Sequence, residues 1–482
     1  MQGFKTYSIK GNITFTITPW YGIIVISYFK QYRNSLWGDM MKIKYILTSL
    51  FYFLISAFIA NSFVIITEIP QILFAVIPVF ILMNIGAGVL TVRTREHTLK
   101  YCYHGTVLLS AFYLSLILSV IYHIVLATKR LPDDYGTFIW SAVICIIVHF
   151  IIFWNGIICV YLTSTQLGIK IRVIGVICGM IPIANLVALF FIIKTTASEV
   201  FFEVQKEKLN LKRQKDKICA TKYPILLVHG VFFRDSKFFN YWGRIPKELI
   251  TNGATVFYGN QPSAAAVSEC AVYIRDRVRE IIDETGAEKV NIIAHSKGGL
   301  DCRYAIAKLG IEENVASLTT INTPHRGCLF ADYLLTKLPP AIKNRTAQTY
   351  NMALNKFGEK DSDFLAAVSN LTDSYCSVLN NELEQPKNVF CQSVGSVLKN
   401  ATGGKFPLNF SYHLVHLFSG ANDGLVSEEA FRWGENYISL KPTGKRGISH
   451  GDVIDLNREN IKGFDVREFY VGLVSDLKNR GL

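Results

Sequence analysis

The chain has 482 residues, of which 50% are apolar and 18% charged, and its formal net charge is +13. This composition excludes a disordered chain, which would be rich in charge and poor in apolar residues. The length excludes a small domain held together mainly by disulfides. The charge is unevenly divided, because residues 1–194 contain 14 Lys and Arg against 5 acidic residues, whereas residues 195–482 contain 36 against 32. A nearly uncharged region is therefore followed by a balanced one.

The N-terminal region contains five long runs without a charged residue, at 45–67, 69–92, 101–128, 135–169 and 173–193. Each run reaches the roughly 20 apolar residues that a helix needs to cross a bilayer. Because only a helix satisfies every backbone group of such a segment in lipid, the runs predict about five transmembrane helices within residues 45–194.

The 44 residues before this region are interpreted as an N-terminal flank. Within it, residues 11–29 form a more polar run interrupted by Pro19, which is interpreted as an interfacial or partial membrane segment. Met41, followed by Lys42 and Lys44, has the form of a signal start, so residues 1–40 are also open to interpretation as a leader.

The Lys and Arg residues of the short loops predict the orientation of the helices. Positive charge is concentrated before the first run, at 93–100 and at 170–172, which places these segments on the inner side of a cell membrane. Five crossings would then leave the C-terminal region outside the cell. Two features oppose this: residues 195–222 form a basic juxtamembrane linker, and the C-terminal region has six cysteines, whose free thiols would favour a reducing compartment.

From residue 223 onward, apolar strand-like runs alternate with helical patterns. Strands are predicted at 223–229, 254–258, 290–294, 315–321, 413–418 and 436–440, with an amphipathic helix at 265–284 and a closing helix from Val466. This alternation predicts an α/β domain over residues 223–482 with a doubly wound, mostly parallel sheet. Residues 330–412 are interpreted as a lid region, whose apolar residues, such as Phe330 and Phe364, either line an acyl pocket or belong to an ordinary core.

Ser296 lies between a predicted strand and a predicted helix, with Ala294 two residues before it and Gly298 two residues after. A nucleophile elbow requires small residues at these two positions, because larger ones would clash in its strained turn. A helix N-cap serine would also explain the turn, but it would not explain the flanking pair. We therefore expect Ser296 to be a catalytic nucleophile.

A serine hydroxyl needs a general base, and the base needs an orienting acid. In α/β domains with such an elbow, the order of catalytic residues along the chain is the nucleophile, then the acid and then the histidine. Asp423, in the loop 419–426, is the predicted acid, and His450, between the last strand and the closing helix, is the predicted base. Rival acids in the lid region are Asp361, Asp363 and Asp373, and the other histidines of the domain (His229, His295, His325, His413 and His416) have simpler structural interpretations.

Two backbone N–H groups are expected to form an oxyanion hole. One belongs to Lys297, directly after the nucleophile, and the other to Val231, in the loop that follows the first strand of the domain. His229, at the end of that strand, is expected to support this loop.

Five segments now carry a resemblance: 224–231, 285–305, 319–327, 422–426 and 449–452. They resemble the α/β-hydrolase fold and, within it, the bacterial true lipases. The resemblance implies an esterase or triacylglycerol lipase with Ser296, Asp423 and His450 as its triad. It also implies calcium, for which Asp452 matches one expected ligand, but residues 400–405 lack the second aspartate, so no cofactor is expected. The N-terminal region lies outside the resemblance.

The sequence therefore predicts a membrane-tethered lipase or esterase that cleaves carboxylic esters of acylglycerols or related lipids. A lipid acyltransferase or thioesterase on the same fold, and a catalytically inert membrane scaffold, remain alternatives. The expected partners are a lipid or acyl ester and the bilayer. A nucleic acid is not expected, because residues 223–482 carry 29 basic against 28 acidic residues.

Overall fold

The computed structural model describes residues 5–9, 13–17, 23–26, 36–130, 134–231, 240–356, 363–441 and 444–482. The chain divides into two compact units. The first comprises Lys30–Lys212 and is called the membrane unit after its apolar runs; the second comprises Met1–Phe29 together with Arg213–Leu482 and is called the hydrolase unit after the resemblance of its sequence.

The membrane unit is helical. Its helices are α1 (Leu36–Ala60), α2 (Phe63–Glu68), α3 (Leu73–Ile85), α4 (Ala87–Thr91), α5 (His97–Arg130), α6 (Tyr135–Thr163), α7 (Gly168–Gly179) and α8 (Ala184–Arg213). Among the described residues, three helical segments are long and apolar enough to cross a membrane, at Met40–Ala60, His97–Lys129 and Tyr135–Thr163. Three of the five predicted runs therefore correspond to single helices that are long and apolar enough to span a membrane.

The other two runs are interrupted by backbone breaks. The run 69–92 contains Pro70 at its second position and is divided into α3 and α4 by Gly86, whose φ of 140° is incompatible with a continuous helix. The run 173–193 is divided into α7 and α8 by a turn that contains Pro182. Hydropathy alone did not reveal that these two runs are broken. The predicted linker 195–222 is also mostly helical, because α8 continues to Arg213.

Helices α5 and α6 pack closely through two glycines. A Cβ atom on Gly105 would lie 2.6 Å from the Cβ atom of Cys159, and one on Gly156 would lie 2.9 Å from the side chain of Leu109. Small residues at a helix interface allow this approach in membranes. The buried His149 lies 3.0 Å from the hydroxyl oxygen of Ser115 on the facing helix, so its ring joins α6 to α5.

The hydrolase unit is built on one nine-stranded sheet within the described residues. Its strands are β1 (Lys5–Ile9), β2 (Ile13–Ile17), β3 (Ile23–Ile26), β4 (Ile225–Val228), β5 (Val256–Tyr258), β6 (Val290–His295), β7 (Val315–Ile321), β8 (Phe390–Ser396) and β9 (Asn436–Leu440). They are ordered β1-β2-β3-β9-β8-β7-β6-β4-β5, and all pairings from β3 to β5 are parallel. The order reverses between β4 and β6, which makes the expected doubly wound sheet.

Helices cover both faces of this sheet. They are α9 (Ile245–Thr251), α10 (Val267–Thr285), α11 (Lys297–Lys308), α12 (Leu329–Lys337), α13 (Pro340–Lys356), α14 (Phe364–Ser369), α15 (Asp373–Glu382), α16 (Leu408–Ser419) and α17 (Val466–Asn479). Along β4, Ile225 and Leu227 belong to one buried cluster and Leu226 and Val228 to another. Burial on both faces explains why the strand is a continuous apolar run rather than an alternating one.

Most predicted strands are confirmed, but the strand at 413–418 is wrong, because these residues belong to α16. A short apolar run does not by itself distinguish a strand from a helix. His413 and His416 are therefore helical. Strand β8 was not predicted, and it lies inside the proposed lid region 330–412. Residues 11–29, interpreted as a partial membrane segment, contain strands β2 and β3.

Candidate active site

Ser296 occupies the tight turn between β6 and α11. Its φ of 53° and ψ of −132° are rare for a residue with a side chain, so the turn is strained. Its N–H donates to the Ile321 carbonyl at 2.9 Å, which fixes the turn against β7. A Cβ atom on Gly298 would lie 2.4 Å from the carbonyl oxygen of His229, so glycine is required there. The strand, turn and helix predicted around Ser296 are all present.

The loop after β4 passes directly beside this turn. A Cβ atom on Gly230 would lie 2.7 Å from the Cβ atom of Ser296, so only glycine allows the approach. The Gly230 N–H donates to the Tyr241 hydroxyl at 3.0 Å. Val231 follows and is buried, and Lys297 is the first residue of α11, where an N–H has no acceptor within its helix. Both predicted oxyanion donors thus belong to segments that adjoin Ser296.

His229, at the end of β4, is fully buried and contacts Gln261 twice. Its Nε2 atom lies 3.0 Å from the Gln261 carbonyl oxygen, and the Gln261 side-chain amide donates to the His229 carbonyl at 2.8 Å. These contacts hold the start of the loop against the segment that follows β5. His229 therefore supports the backbone rather than facing a substrate.

Asp423 and His450 form a direct hydrogen bond, with 2.6 Å between Oδ2 of the carboxylate and Nδ1 of the ring. The carboxylate is fully buried, and its Oδ1 atom accepts the N–H groups of Leu425 at 2.9 Å and Val426 at 2.8 Å. Asn322 donates its side-chain amide to Oδ2 at 2.6 Å. Asp423 thus accepts three hydrogen bonds besides the contact with His450, which fix its carboxylate in a position to orient the imidazole.

His295 connects the histidine to the nucleophile turn. It directly precedes Ser296, and its ring centroid lies 4.6 Å from that of His450. The Tyr241 hydroxyl lies 2.6 Å from Nδ1 of His295 and fixes that ring. Burial lowers the pKa of His295 well below its usual value, and the neighbouring His450 lowers it further. A neutral His295 therefore packs against His450 without adding a competing charge.

The side chain of Lys297 points away from the proposed oxyanion position into the core. Its ammonium group donates to Asp301 at 2.7 Å and to the Cys270 sulfur at 3.3 Å. Burial raises the pKa of Asp301 to about 6, against the attraction of the Lys297 charge. Only the backbone N–H of Lys297 is thus available for the role predicted from the sequence.

The surroundings of Asp452 do not fit a calcium ion. Both of its carboxylate oxygens lie within hydrogen-bond distance of Arg446, at 2.9 and 3.1 Å, and one of them also accepts the Ser449 N–H at 2.9 Å. Among the residues that the structure describes, no cluster of three acidic, histidine or cysteine side chains is arranged to hold a metal. A guanidinium group therefore lies where an ion bound to Asp452 would have to lie.

The remaining candidates have other surroundings. Asp363 caps α14, and Asp373 lies in the first turn of α15, whereas Asp361 lies outside the described residues. His325 stacks on Trp433 in the core, with 4.9 Å between the ring centroids. None of these groups contacts Asp423 or His450 in the described contacts. The sequence analysis missed Asn322 and Tyr241, and the positive φ of Asn322 directly after β7 could not be inferred from its residue type.

The sequence is similar to a thioesterase family model and to several triacylglycerol lipases. Residues 224–382 match the family model described as palmitoyl protein thioesterase. The chain is 36% identical over 178 residues to a triacylglycerol lipase of Pseudarthrobacter phenanthrenivorans, covering 34% of this chain and 55% of that protein. It is 28% identical over 275 residues to triacylglycerol lipase 2 of Saccharomyces cerevisiae, covering 51% of this chain and 77% of that protein.

The solved structure of a mature Bacillus licheniformis lipase covers 53% of this chain, with 21% identity, a TM-score of 0.41 and 92% of its own chain aligned. The chain spans about half the length of several of the curated relatives that it matches, 55% for Pseudarthrobacter phenanthrenivorans and 49% for Burkholderia plantarii. The sheet order and the sequence similarity together define a lipase-like α/β-hydrolase domain that follows a region of apolar helices.

Proposed function

We propose that this protein is a membrane-tethered serine hydrolase that cleaves carboxylic esters of acylglycerols or related lipids. The observation that carries the proposal is the 2.6 Å hydrogen bond between Asp423 and His450, formed beside the strained turn that presents Ser296. These residues come from three separate loops at the carboxyl ends of the parallel strands, where ligands bind in open α/β sheets. The similarity to triacylglycerol lipases supports the same chemistry.

The geometry supports a two-step acyl transfer. The Ser296 hydroxyl oxygen attacks the ester carbonyl carbon while His450 takes the hydroxyl proton. The N–H groups of Val231 and Lys297 stabilise the oxyanion, each contributing about 2.7–4 kcal/mol to the transition state. The C–O bond breaks, and His450 gives the proton to the leaving alcohol. Water then attacks the acyl-enzyme with His450 again as base, which releases the fatty acid and restores Ser296.

An exposed apolar surface beside the acid turn supports a lipid substrate. Helix α16 is fixed to this turn, because the Ser411 hydroxyl donates to the Gly424 carbonyl at 2.5 Å. On its outer side Phe410 is 71% and Leu417 is 79% exposed. Large contiguous apolar patches on a protein surface often mark binding sites. Tyr333 of α12 is also exposed and extends this surface, with 5.1 Å between its ring and that of Phe418.

The family model described as palmitoyl protein thioesterase favours a second candidate, the cleavage of acyl thioesters at the same Ser296. A panel of acylglycerols, phospholipids and acyl thioesters with matched acyl chains separates the candidates, with release of free fatty acid as the measurement. We expect the purified full-length protein to hydrolyse oxygen esters faster than thioesters. Ser296→Ala should lose both activities, and an acyl acceptor that diverts the product would indicate a transferase.

The membrane unit supports a different orientation from the one predicted by five crossings. Two acids of α8 bind loops that precede α5 and follow α6. Glu207 accepts the Arg95 N–H at 2.9 Å, and Glu199 accepts the Thr165 N–H at 2.8 Å. The first loop belongs to the basic segment 93–100, and the second directly precedes the basic segment 170–172, both of which the sequence places on the inner side. The C-terminal half of α8 therefore lies at the level of that side.

Helix α8 runs antiparallel to α5, which fixes the depth at which it begins. The Thr196 hydroxyl pairs with that of Thr106, the tenth residue of α5, at 2.9 Å. Ala184, twelve residues before Thr196, thus lies about 18 Å deeper. The distance along α5 from Thr106 to its end at Arg130 is about 36 Å. The start of α8 at Ala184 therefore lies roughly half-way along this length of α5.

The turn between α7 and α8 fits an apolar environment. Met180 is 91% and Ile183 is 76% exposed, which is unfavourable in water. Backbone bonds inside the turn use the N–H groups of Ile181 and Asn185, and Pro182 has none, so the turn leaves few donors unpaired in lipid. At 12 residues, α7 is about 18 Å long, too short to cross the roughly 30 Å hydrocarbon core.

We infer that α7 and α8 form a re-entrant hairpin, so that the chain enters the hydrolase domain from the cytoplasmic side. All ten cysteines are free, as a reducing compartment requires. A fluorescent protein fused after Leu482 should fluoresce, whereas alkaline phosphatase at the same point should be inactive. The matched fusion after Arg130, between α5 and α6, should give the opposite pattern. Phosphatase activity at Leu482 would restore the five-crossing orientation.

A further inference from the structure

Arg446 donates hydrogen bonds to oxygen atoms of three residues, in segments close to His450. Its Nε atom donates to the Gly403 carbonyl at 2.6 Å, its Nη1 atom to Glu459 at 2.9 Å, and its Nη2 atom to Asp452 at 2.9 Å. The guanidinium plane directs these donors along fixed directions, which a lysine ammonium would not do. One side chain thus connects three segments that are separate in sequence.

Asp452 transmits this contact to the histidine. Its Oδ2 atom accepts the N–H of Ser449, the residue before His450, at 2.9 Å, and its side chain is only 1% exposed. The His450 N–H donates to the Asp423 carbonyl at 2.9 Å. The backbone on both sides of the Ser449–His450 bond is therefore held, one side by Asp452 and the other by the acid segment.

The same region fastens the acid segment through its backbone. The Lys399 N–H donates to the Arg446 carbonyl at 3.2 Å, and the Leu398 N–H donates to the Asn422 carbonyl, directly before Asp423, at 2.8 Å. A change at Arg446 would therefore reach Asp423 and His450 together. Their side chains contact neither Arg446 nor Glu459 in the described contacts, so any effect on catalysis must pass through the loops.

Two carboxylates and a carbonyl oxygen around one centre form a ligand set that suits a hard cation. In this chain the guanidinium group of Arg446, a cation that is part of the protein, lies between these oxygen atoms. The geometry points to Arg446 as a positioning residue that replaces a bound metal ion and places His450 without a dissolved cation. This inference rests on the proposed hydrolysis at Ser296, and it adds the residue that makes such a site independent of calcium.

The test compares Arg446→Ala with Arg480→Ala in the full-length protein. Arg480 pairs with Asp476 at 2.8 Å on α17 and serves as a matched control for the loss of an arginine ion pair. We expect Arg446→Ala to lower kcat by about ten- to a hundredfold with KM within twofold, because small misplacement of a catalytic group costs rate rather than binding. Added guanidinium ion at low millimolar concentration should restore several-fold activity, and Arg446→Lys should be intermediate.

Calcium provides a second readout. Wild-type activity should be unchanged by a calcium chelator, whereas Arg446→Ala should gain activity on addition of calcium, because Asp452, Glu459 and the Gly403 carbonyl then lose their guanidinium donors and only Lys405 remains as a cation beside Glu459, at 3.3 Å. Activity of Arg446→Ala within twofold of wild type would overturn the inference. So would a loss that neither guanidinium nor calcium relieves and that follows the loss of thermal stability.

If Arg446→Ala does not fold, Arg446→Lys replaces it, and wild-type kcat in that variant would overturn the inference. Hydrogen exchange at the Ser449 and His450 amides distinguishes a failure of the Arg446 positioning contact from a failure of the proposed hydrolase function. An inactive wild-type protein with strong protection at these amides, lost in the Arg446 variant, would defeat the proposed hydrolase function and leave the positioning contact intact. An active wild-type protein whose amide protection is not lost in the Arg446 variant would leave the hydrolase function intact and overturn the positioning role of Arg446.

Discussion

The hydrolase unit and the membrane unit both bury apolar side chains, but they place their polar groups differently. In the hydrolase unit, buried polar groups lie near the carboxyl ends of the parallel strands. Ser296, Asn322 and Asp423 are examples, and each of them forms hydrogen bonds. In the membrane unit, polar groups such as His149 and Glu199 join one helix or loop to another. The first arrangement is typical of an active site, whereas the second shows which helices and loops of the membrane unit are neighbours.

This difference explains why the two units were predicted with unequal success. The elbow around Ser296 requires particular residues at fixed spacing, so a local motif identified it. A membrane crossing requires only length and apolarity, and the run 173–193 has both although it is divided at Pro182. The position of Glu199 beside the loop after α6 depends on helix packing, which no hydropathy pattern contains.

The largest expected effect comes from the acid. Asp423→Asn keeps the shape of the side chain but removes the charge that orients and stabilises His450. We expect kcat for ester hydrolysis to fall by about 10⁴-fold with little change in thermal stability, since the amide still fills the buried site. Steady-state kinetics with a soluble ester measure this. Asp373→Asn is the control, because Asp373 lies in α15 away from the histidine, and equal losses in both variants would remove Asp423 from the site.

An intermediate effect is expected at the elbow. Gly298→Ala would place a Cβ atom 2.4 Å from the His229 carbonyl oxygen, so β4 and α11 must separate. We expect kcat to fall by more than tenfold and the free energy of unfolding to fall by about 1–3 kcal/mol. Kinetics and denaturant unfolding measure the two quantities. An unchanged kcat would show that the close packing behind Ser296 does not matter to its position.

The smallest effect is expected in the membrane unit. Gly105→Ala would place a Cβ atom 2.6 Å from that of Cys159, whereas Gly179→Ala meets nothing within 4 Å. We expect the first variant to lower the midpoint of thermal inactivation in detergent by a few degrees and the second to leave it unchanged, because only the first separates α5 from α6. The kcat of both should remain near wild type. A loss of kcat in Gly105→Ala would show that the membrane unit takes part in catalysis.

Sequence alone predicted the elements that a motif or a strong period defines. Strands β6, β7 and β9 and the strand, turn and helix around Ser296 follow from local spacing, and the proposed acid and histidine were selected by their order in the chain. Strand β8 was missed because Phe390–Ser396 mixes polar and apolar residues. Asn322, Tyr241 and Arg446 were missed because their partners include residues distant in sequence, as Asn322 contacts Asp423, 101 positions away, and Arg446 contacts Gly403, 43 positions away.

The most direct test of the central claim is the covalent reaction of the full-length protein with a fluorophosphonate, followed by peptide mass spectrometry. Only a serine activated by a nearby base reacts quickly with this reagent. We predict a single phosphonylated peptide, modified at Ser296, and no labelling of Ser296→Ala. Absence of an adduct on the folded wild-type protein, or equal labelling of Ser296→Ala, would contradict the assignment of Ser296 as the nucleophile.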